Sequence, residues 1–295
     1  VQTATASFKL VKKVRDDRFE EERLNEYALL VQIGVRDVQV AVVEQASSRI
    51  LLLEDYVLGE VQSQEELFGV LKTLFDSHPL LLAGFWQRVI VSFKNNKFAQ
   101  IPPALFVEES ADDYLRINAA LGADENVLVS RHGEGNLVTV FAVQESLLTW
   151  LRSVYANTNV TYTHQSVALV EGLLPVAAKQ SDEPLYIYVD RFKLHVMACR
   201  KGKLLYYNQF LIKQFADYVK YIMVVMNGLG MEPEKTRVVL WGYIGKNSPH
   251  YQEFYKYIRN VEFGGRPAGL QFGYLFDEVQ EHHFFDLFAL AFLKP

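Results

Sequence analysis

The sequence predicts an α/β protein of two related lobes, each holding a mixed sheet. Three observations lead there. An order of three strands, a helix and a strand starts near residue 27 and again near residue 184, as in a chain that repeats one supersecondary unit. Short alternating apolar runs give way to apolar residues at helical spacing and then return, which is the mark of helices packed on sheets. The stretch 175–184, with a proline at each end and Ser181, Asp182 and Glu183 inside it, separates the two repeats. The predicted lobes are therefore 1–175 and 184–295.

In the first lobe, residues 1–26 end in the charged run KKVRDDRFEEERLNE and read as an exposed arm or short edge element. Leu29, Val31 and Ile33 alternate with Leu30, Gln32 and Gly34 in a first strand; Val38, Val40 and Val42 make a second, and Ile50 to Leu53 a third. A helix follows over Gln64 to Phe75, with Leu67, Val70, Leu71 and Leu74 on one face and Ser63 as its N-cap. Val89 to Phe93 returns to the sheet. Between about 95 and 163 lies an inserted α/β segment, with a helix over Glu109–Ala120, strands at Glu125–Ser130 and Leu137–Val143, a helix around Leu147–Tyr155 and a strand at Val160–Thr163. A connecting helix, Ser166 to Leu174, is expected to stop at Pro175.

In the second lobe, Leu185–Val189, Leu194–Ala198 and Leu204–Phe210 are strands. Phe215, Val219, Ile222 and Met226 line a helix, and Arg237 to Leu240 form a strand running into Trp241-Gly242. Sixteen tyrosines and twenty phenylalanines exceed what two modest cores need, so an aromatic protein-contact surface stands beside the core reading for the second lobe.

Composition narrows the function classes. The 295 residues carry a formal net charge of −5, which argues against a basic nucleic-acid-binding surface. The single cysteine, Cys199, cannot form a disulfide within the chain and reads as a small core residue. No apolar run reaches the roughly 18–20 residues of a membrane helix, and no signal peptide is visible after Val1. The expected setting is cytoplasmic, with no nucleic acid and no integral membrane segment.

The opening strand triplet, the middle insertion and the run Arg259-Asn260-Val261-Glu262-Phe263-Gly264 resemble an uncharacterised Bacteroidetes family, domain of unknown function 3822 (DUF3822). The resemblance implies a duplicated ribonuclease H-like fold of the actin-like ATPase kind, nearest the pilus-assembly and cell-division members. Those relatives carry a small inserted subdomain used in filament contacts, so the resemblance implies a role in assembly or scaffolding.

An active member of that superfamily cradles phosphates with backbone N–H groups of two glycine-bearing hairpins, and strand aspartates hold magnesium through water. Here Gln32 stands where the first aspartate is expected and cannot offset a divalent charge. Gly34 remains, followed by Val35-Arg36-Asp37, and Arg36 could attract a phosphate. Asp190 matches the second aspartate, but Arg191-Phe192-Lys193 follow without a glycine. Arg191 could still bind an anion; a tight bend between strands is the stronger reading. Near the adenosine position, Trp241-Gly242-Tyr243 replaces adjacent glycines, and Gly264-Gly265 supplies another pair. Trp241 or Tyr243 could stack on a base or fill the core. The candidate nucleotide-contacting residues are thus Gly34, Arg36, Asp190, Arg191, Gly242, Gly264 and Gly265.

His282 and His283, placed on a final helix, point about 100° apart and do not converge on a metal. No catalytic set emerges. The expected function is a non-catalytic actin-like scaffold with degenerate phosphate hairpins, no cofactor, and a protein partner or self-association. The alternative is a weak ATP-binding or regulatory ATPase with magnesium near Asp190. A small-molecule kinase or a nuclease fits less well.

Overall fold

The computed structural model describes residues 8–61, 63–133, 136–214 and 216–294. The first seven residues of the expected arm and Phe215 of the expected helix lie outside them. The chain divides into two compact units: 1–169 with 269–278 and 286–295, and 170–268 with 279–285.

The first unit contains β1 (Phe8–Arg15), β2 (Tyr27–Gly34), β3 (Asp37–Glu44), β4 (Arg49–Leu58), α1 (Gln64–Asp76), the single turn α2 (Pro79–Leu82), β5 (Arg88–Lys94), β6 (Phe98–Ile101), α3 (Ala111–Arg116), β7 (Glu125–Arg131), β8 (Val138–Gln144), α4 (Glu145–Val154) and β9 (Val160–His164). α5 (Gln165–Ala177) runs across the division between units. The second unit contains β10 (Leu185–Asp190), β11 (Lys193–Arg200), β12 (Lys203–Leu211), α6 (Ala216–Gly228), β13 (Val238–Gly242), α7 (Pro249–Tyr257) and β14 (Val261–Phe263). The chain then returns to the first unit with β15 (Gln271–Phe272) and most of α8 (Phe285–Ala289).

The first sheet has the order β1-β4-β3-β2-β5-β9, with β15 joining β4; the second has the order β12-β11-β10-β13-β14. In each, an antiparallel triplet, β4-β3-β2 or β12-β11-β10, is followed by two parallel strands, β5 and β9 after β2, β13 and β14 after β10, and β1 adds antiparallel to the outside of the first triplet. The duplicated order expected from the sequence is therefore present at the level of strand pairing.

Alternation decides the faces of the first sheet. Leu29, Val31, Ile33, Val38, Val40, Val89, Val91 and Phe93 share one apolar face with α1 and α4. Burying side chains of this kind contributes about 1.5–3 kcal/mol each. α1 starts where Ser63 Oγ accepts from the Glu66 N–H at 3.1 Å, and Leu67, Val70, Leu71 and Leu74 are buried on its inner side.

Several expectations are corrected. The insertion is a three-stranded sheet, β6-β8-β7, and Val160–His164 instead pairs with β5 in the main sheet. A parallel strand needs a long crossover, and the insertion sits within it. The helix over 109–120 is only Ala111–Arg116 after a 3₁₀ turn at Glu108–Ser110. α5 continues through Pro175 to Ala177, because a proline in the last turn forfeits just one hydrogen bond. His282 and His283 precede α8, and Phe284 between has φ +58°; His282 is buried and its Nε2 lies 2.8 Å from the Ile244 carbonyl. Residues 269–278 and 286–295, expected in the second lobe, pack in the first unit.

The arm is an edge strand with its own buried polar anchor. Lys13 Nζ lies 2.8 Å from Glu54 Oε1. The Tyr56 hydroxyl donates to Glu54 at 2.7 Å, and His78 Nε2 lies 2.5 Å from the same carboxylate. Burial would push the Glu54 carboxyl up, but the bonds from His78, Lys13 and Tyr56 outweigh it and hold it at about 2 against an ordinary 4.5. The stabilisation is complete above about pH 4.5 and is lost as pH falls through 2. Glu54→Gln is expected to lower stability at pH 7 by about 3 kcal/mol, with the gap to wild type closing as urea melts are repeated from pH 5 down to pH 2.

Candidate functional site

Each unit carries one candidate position, at the turn end of its strand triplet. In the first unit, β2 and β3 meet through a two-residue loop, Val35-Arg36, and Arg36 is half-buried with its carbonyl accepting from the Leu58 N–H at 2.9 Å. Just behind the loop, Lys94 Nζ and Asp37 Oδ2 form a buried ion pair at 2.8 Å. Gly34 pairs across the sheet with Lys94, and a Cβ on it would lie 2.6 Å from Asp37 Oδ1. The absence of a side chain at Gly34 thus makes room for the protein's own carboxylate.

Below this pair, a polar row crosses all five core strands. Asp55, Gln39, Gln32, Ser92 and Thr163 face one another in register and all are buried. Thr163 shares a 3.0 Å hydrogen bond with Ser130, and Gln39 Nε2 donates weakly to Asp55 at 3.5 Å. Gln32 and Ser92, at the centre, are different: among the described residues neither amide atom of Gln32 nor the Ser92 hydroxyl has a hydrogen-bond partner. Orphaned buried polar groups cost about 1–3 kcal/mol each, so this is a place of stored polarity rather than of packing.

In the second unit the corresponding hairpin also turns through two residues. Gln32 faces Gln39, so β2 runs on for two residues before turning; Asp190 faces Lys193, and the chain turns immediately at Arg191-Phe192. Asp190 is buried beside Tyr218, whose phenol is pushed up first by burial and then by the Asp190 charge. The Arg191 guanidinium lies 4.4 Å from the centre of the Tyr243 ring, and its Nη2 lies 3.3 Å from the Tyr243 hydroxyl. Phe192 is exposed.

The two glycine positions of this unit are occupied by its own packing. Gly242 has φ +88°, and a Cβ there would lie 2.1 Å from the Val189 carbonyl oxygen. The glycine lets β13 turn against β10, with Tyr243 N–H donating to that carbonyl at 2.7 Å. A Cβ on Gly264 would fall 2.0 Å from Trp241 Cε2. The Trp241 indole is 2% exposed, packs against Tyr186 and Phe285, and donates from Nε1 to the Gly265 carbonyl at 2.8 Å. Of the two roles open to Trp241, core filling is the one it has. Gly265 itself is exposed.

The structure brings Asp190, Arg191 and Gly242 together at one end of β10, and Gly264 and Gly265 around Trp241. Gly34 and Arg36 flank the Lys94–Asp37 pair. Among the described residues, no group of three His, Cys, Asp or Glu side chains could hold a metal ion. Magnesium on a triphosphate is usually met by one or two carboxylates together with the phosphates. The neutral Gln32 fits that group poorly.

Known proteins share this architecture. A family model described as "Protein of unknown function (DUF3822)" matches residues 16–261. The chain belongs to the DUF3822 family. No curated protein matches it. Among solved structures, the DUF3822 chain is similar to a Bacteroides thetaiotaomicron protein with actin-like ATPase fold and unknown function, at 20% identity and a TM-score of 0.78, over 94% of this chain and 99% of that one. It is also similar to a chain of the PilM–PilN type IV pilus biogenesis complex, at 12% identity and a TM-score of 0.55, over 91% and 99%. These likenesses establish the actin-like ATPase fold.

The sequence in one dimension singles out Gln32 but not the Lys94–Asp37 pair, nor Asp55, Gln39, Ser92 and Thr163 of the polar row. The available signal was a polar residue at an inward position of an otherwise apolar strand, at Gln32, Gln39 and Ser92. Gln32 meets Gln39 across a local hairpin, but it meets Ser92 only through pairing of β2 with β5, 60 residues along the chain.

Proposed function

We propose that this DUF3822 protein is a non-catalytic actin-like scaffold that engages another protein in the cytoplasm without a bound cofactor. The observation that carries the reading is the buried Lys94–Asp37 pair behind the Gly34 hairpin. An ammonium already neutralised by its own carboxylate offers little to a phosphate, and that carboxylate would repel one. The glycine-free turn after Asp190 and the Trp241-filled glycine step support the same reading. The PilM–PilN complex, which shares the fold, is an assembly of proteins, and Tyr255 and Tyr257 on α7 are half-exposed aromatic residues suited to such contacts.

A second reading, weak ATP binding with magnesium near Asp190, draws on the orphaned Gln32 amide and Ser92 hydroxyl and on the buried Asp190 carboxylate. Thermal melts separate the two. A ligand present at 100 times its Kd stabilises by about 2.7 kcal/mol, which in a chain of this size raises Tm by about 5 °C or more. With 2 mM ATP and magnesium we expect a rise below about 1 °C. A rise of several degrees, absent in Asp190→Asn, would replace the scaffold reading with the second one.

A further inference from the structure

The other end of the first sheet, away from the Gly34 hairpin, holds a different feature. A cavity of about 250 Å³ is lined by Arg88, Ser48, Gln45, Leu270, Phe292 and Leu293, among others. Arg88, the first residue of β5, is 6% exposed. Its guanidinium donates to the carbonyls of Leu293 and Lys294 at 2.6 and 3.0 Å and to Thr161 Oγ1 at 3.1 Å. All three acceptors are neutral. Its Nε is buried without an acceptor, and among the described residues no carboxylate forms an ion pair with it.

A guanidinium does not escape this by losing its proton, since arginine stays charged in proteins. A buried cation is ordinarily paired with an anion, and leaving it without one costs several kcal/mol. Burial pulls the Arg88 pKa down. Among the described residues, the same side chain therefore carries a charge with no counter-ion and borders a cavity. Each points to a missing negative group.

We propose that Arg88 and the cavity beside it bind a small organic anion, a carboxylate or phosphate head on a short apolar body. The guanidinium takes the head, Ser48 and Gln45 supply further polar contacts, and Leu270 and Phe292 cover the body. The volume lies below the roughly 300–1,000 Å³ of pockets for drug-sized ligands, which selects a compact metabolite over a nucleotide. The site lies at the opposite end of β5 from Lys94, so it stands whichever way the nucleotide question falls.

The test is a set of thermal melts of the whole chain at constant ionic strength, with chloride replaced by inorganic phosphate, succinate or butyrate. We expect at least one of these to raise Tm by about 5 °C at saturation; phosphate against the carboxylates distinguishes the head group. Arg88→Met should abolish the rise. Because Arg88 also holds the chain near residues 293–294, Ser48→Asp provides a second arm. Ser48 has φ +54°, a conformation that aspartate tolerates, and its carboxylate would supply the counter-charge from within. Ser48→Asp should melt higher than wild type in chloride and lose the anion-dependent rise. No rise with any of the three anions, or a rise that survives in Ser48→Asp, would overturn the proposal.

Discussion

Gly242→Ala is expected to cost more than about 4 kcal/mol, at the extreme of single substitutions, and to leave little folded protein at 37 °C. Two penalties coincide at this position. The backbone has φ +88°, which costs an L-residue roughly 1–2 kcal/mol. The new Cβ would also stand 2.1 Å from the Val189 carbonyl oxygen and under 3 Å from the carbonyl carbon and nitrogen of the same residue. Those atoms belong to β10, the central strand of the second sheet, and cannot swing aside as a side chain would. Gly230 separates the two effects. It has φ +67° but nothing within 4 Å of where a methyl group would stand, so Gly230→Ala should cost only about 1–2 kcal/mol. Urea melts of both variants check the difference. Similar losses for the two would mean that the close approach of β13 to β10 is not what demands glycine.

Lys94→Met is expected to cost about 3–5 kcal/mol, the usual result of removing one partner of a buried ion pair. The loss comes less from the attraction itself than from the Asp37 carboxylate left in a site shut off from water. Lys94→Met combined with Asp37→Leu should recover most of it, since a buried pair replaced by apolar groups of similar volume is often neutral or better. The double-mutant cycle read by chemical denaturation gives the coupling directly. A coupling below about 0.5 kcal/mol would remove the pair from its place in the functional argument. It would also reopen the hairpin to a phosphate.

The elements themselves were legible where periodicity was strong. β2, β3, β5, β10 and β11 fall where alternation placed them, and α1 begins at the predicted Ser63 cap. β6 was missed, because Phe98–Ile101 is four residues long and shows too few alternations to register. The final histidines were placed on a helix because Phe/Leu spacing continues through them, yet Phe284 at φ +58° breaks the helical path before α8. At the candidate site the residue types were informative and their partners were not. Gln32 reads as standing in for an aspartate only through the family resemblance. That Gly34 shelters Asp37, or that Gly264 shelters an indole, depends on atoms brought together from elsewhere in the chain.

The sequence by itself determined the two strand triplets and their order, because these follow from local spacing and side-chain chemistry. Tertiary structure alone decided the pairing of Asp37 with Lys94, 57 residues away, and the burial of Arg88 against neutral acceptors. The reason is physical: periodicity tells which face of a strand a residue occupies, while burial and charge compensation depend on what long-range pairing sets against that face.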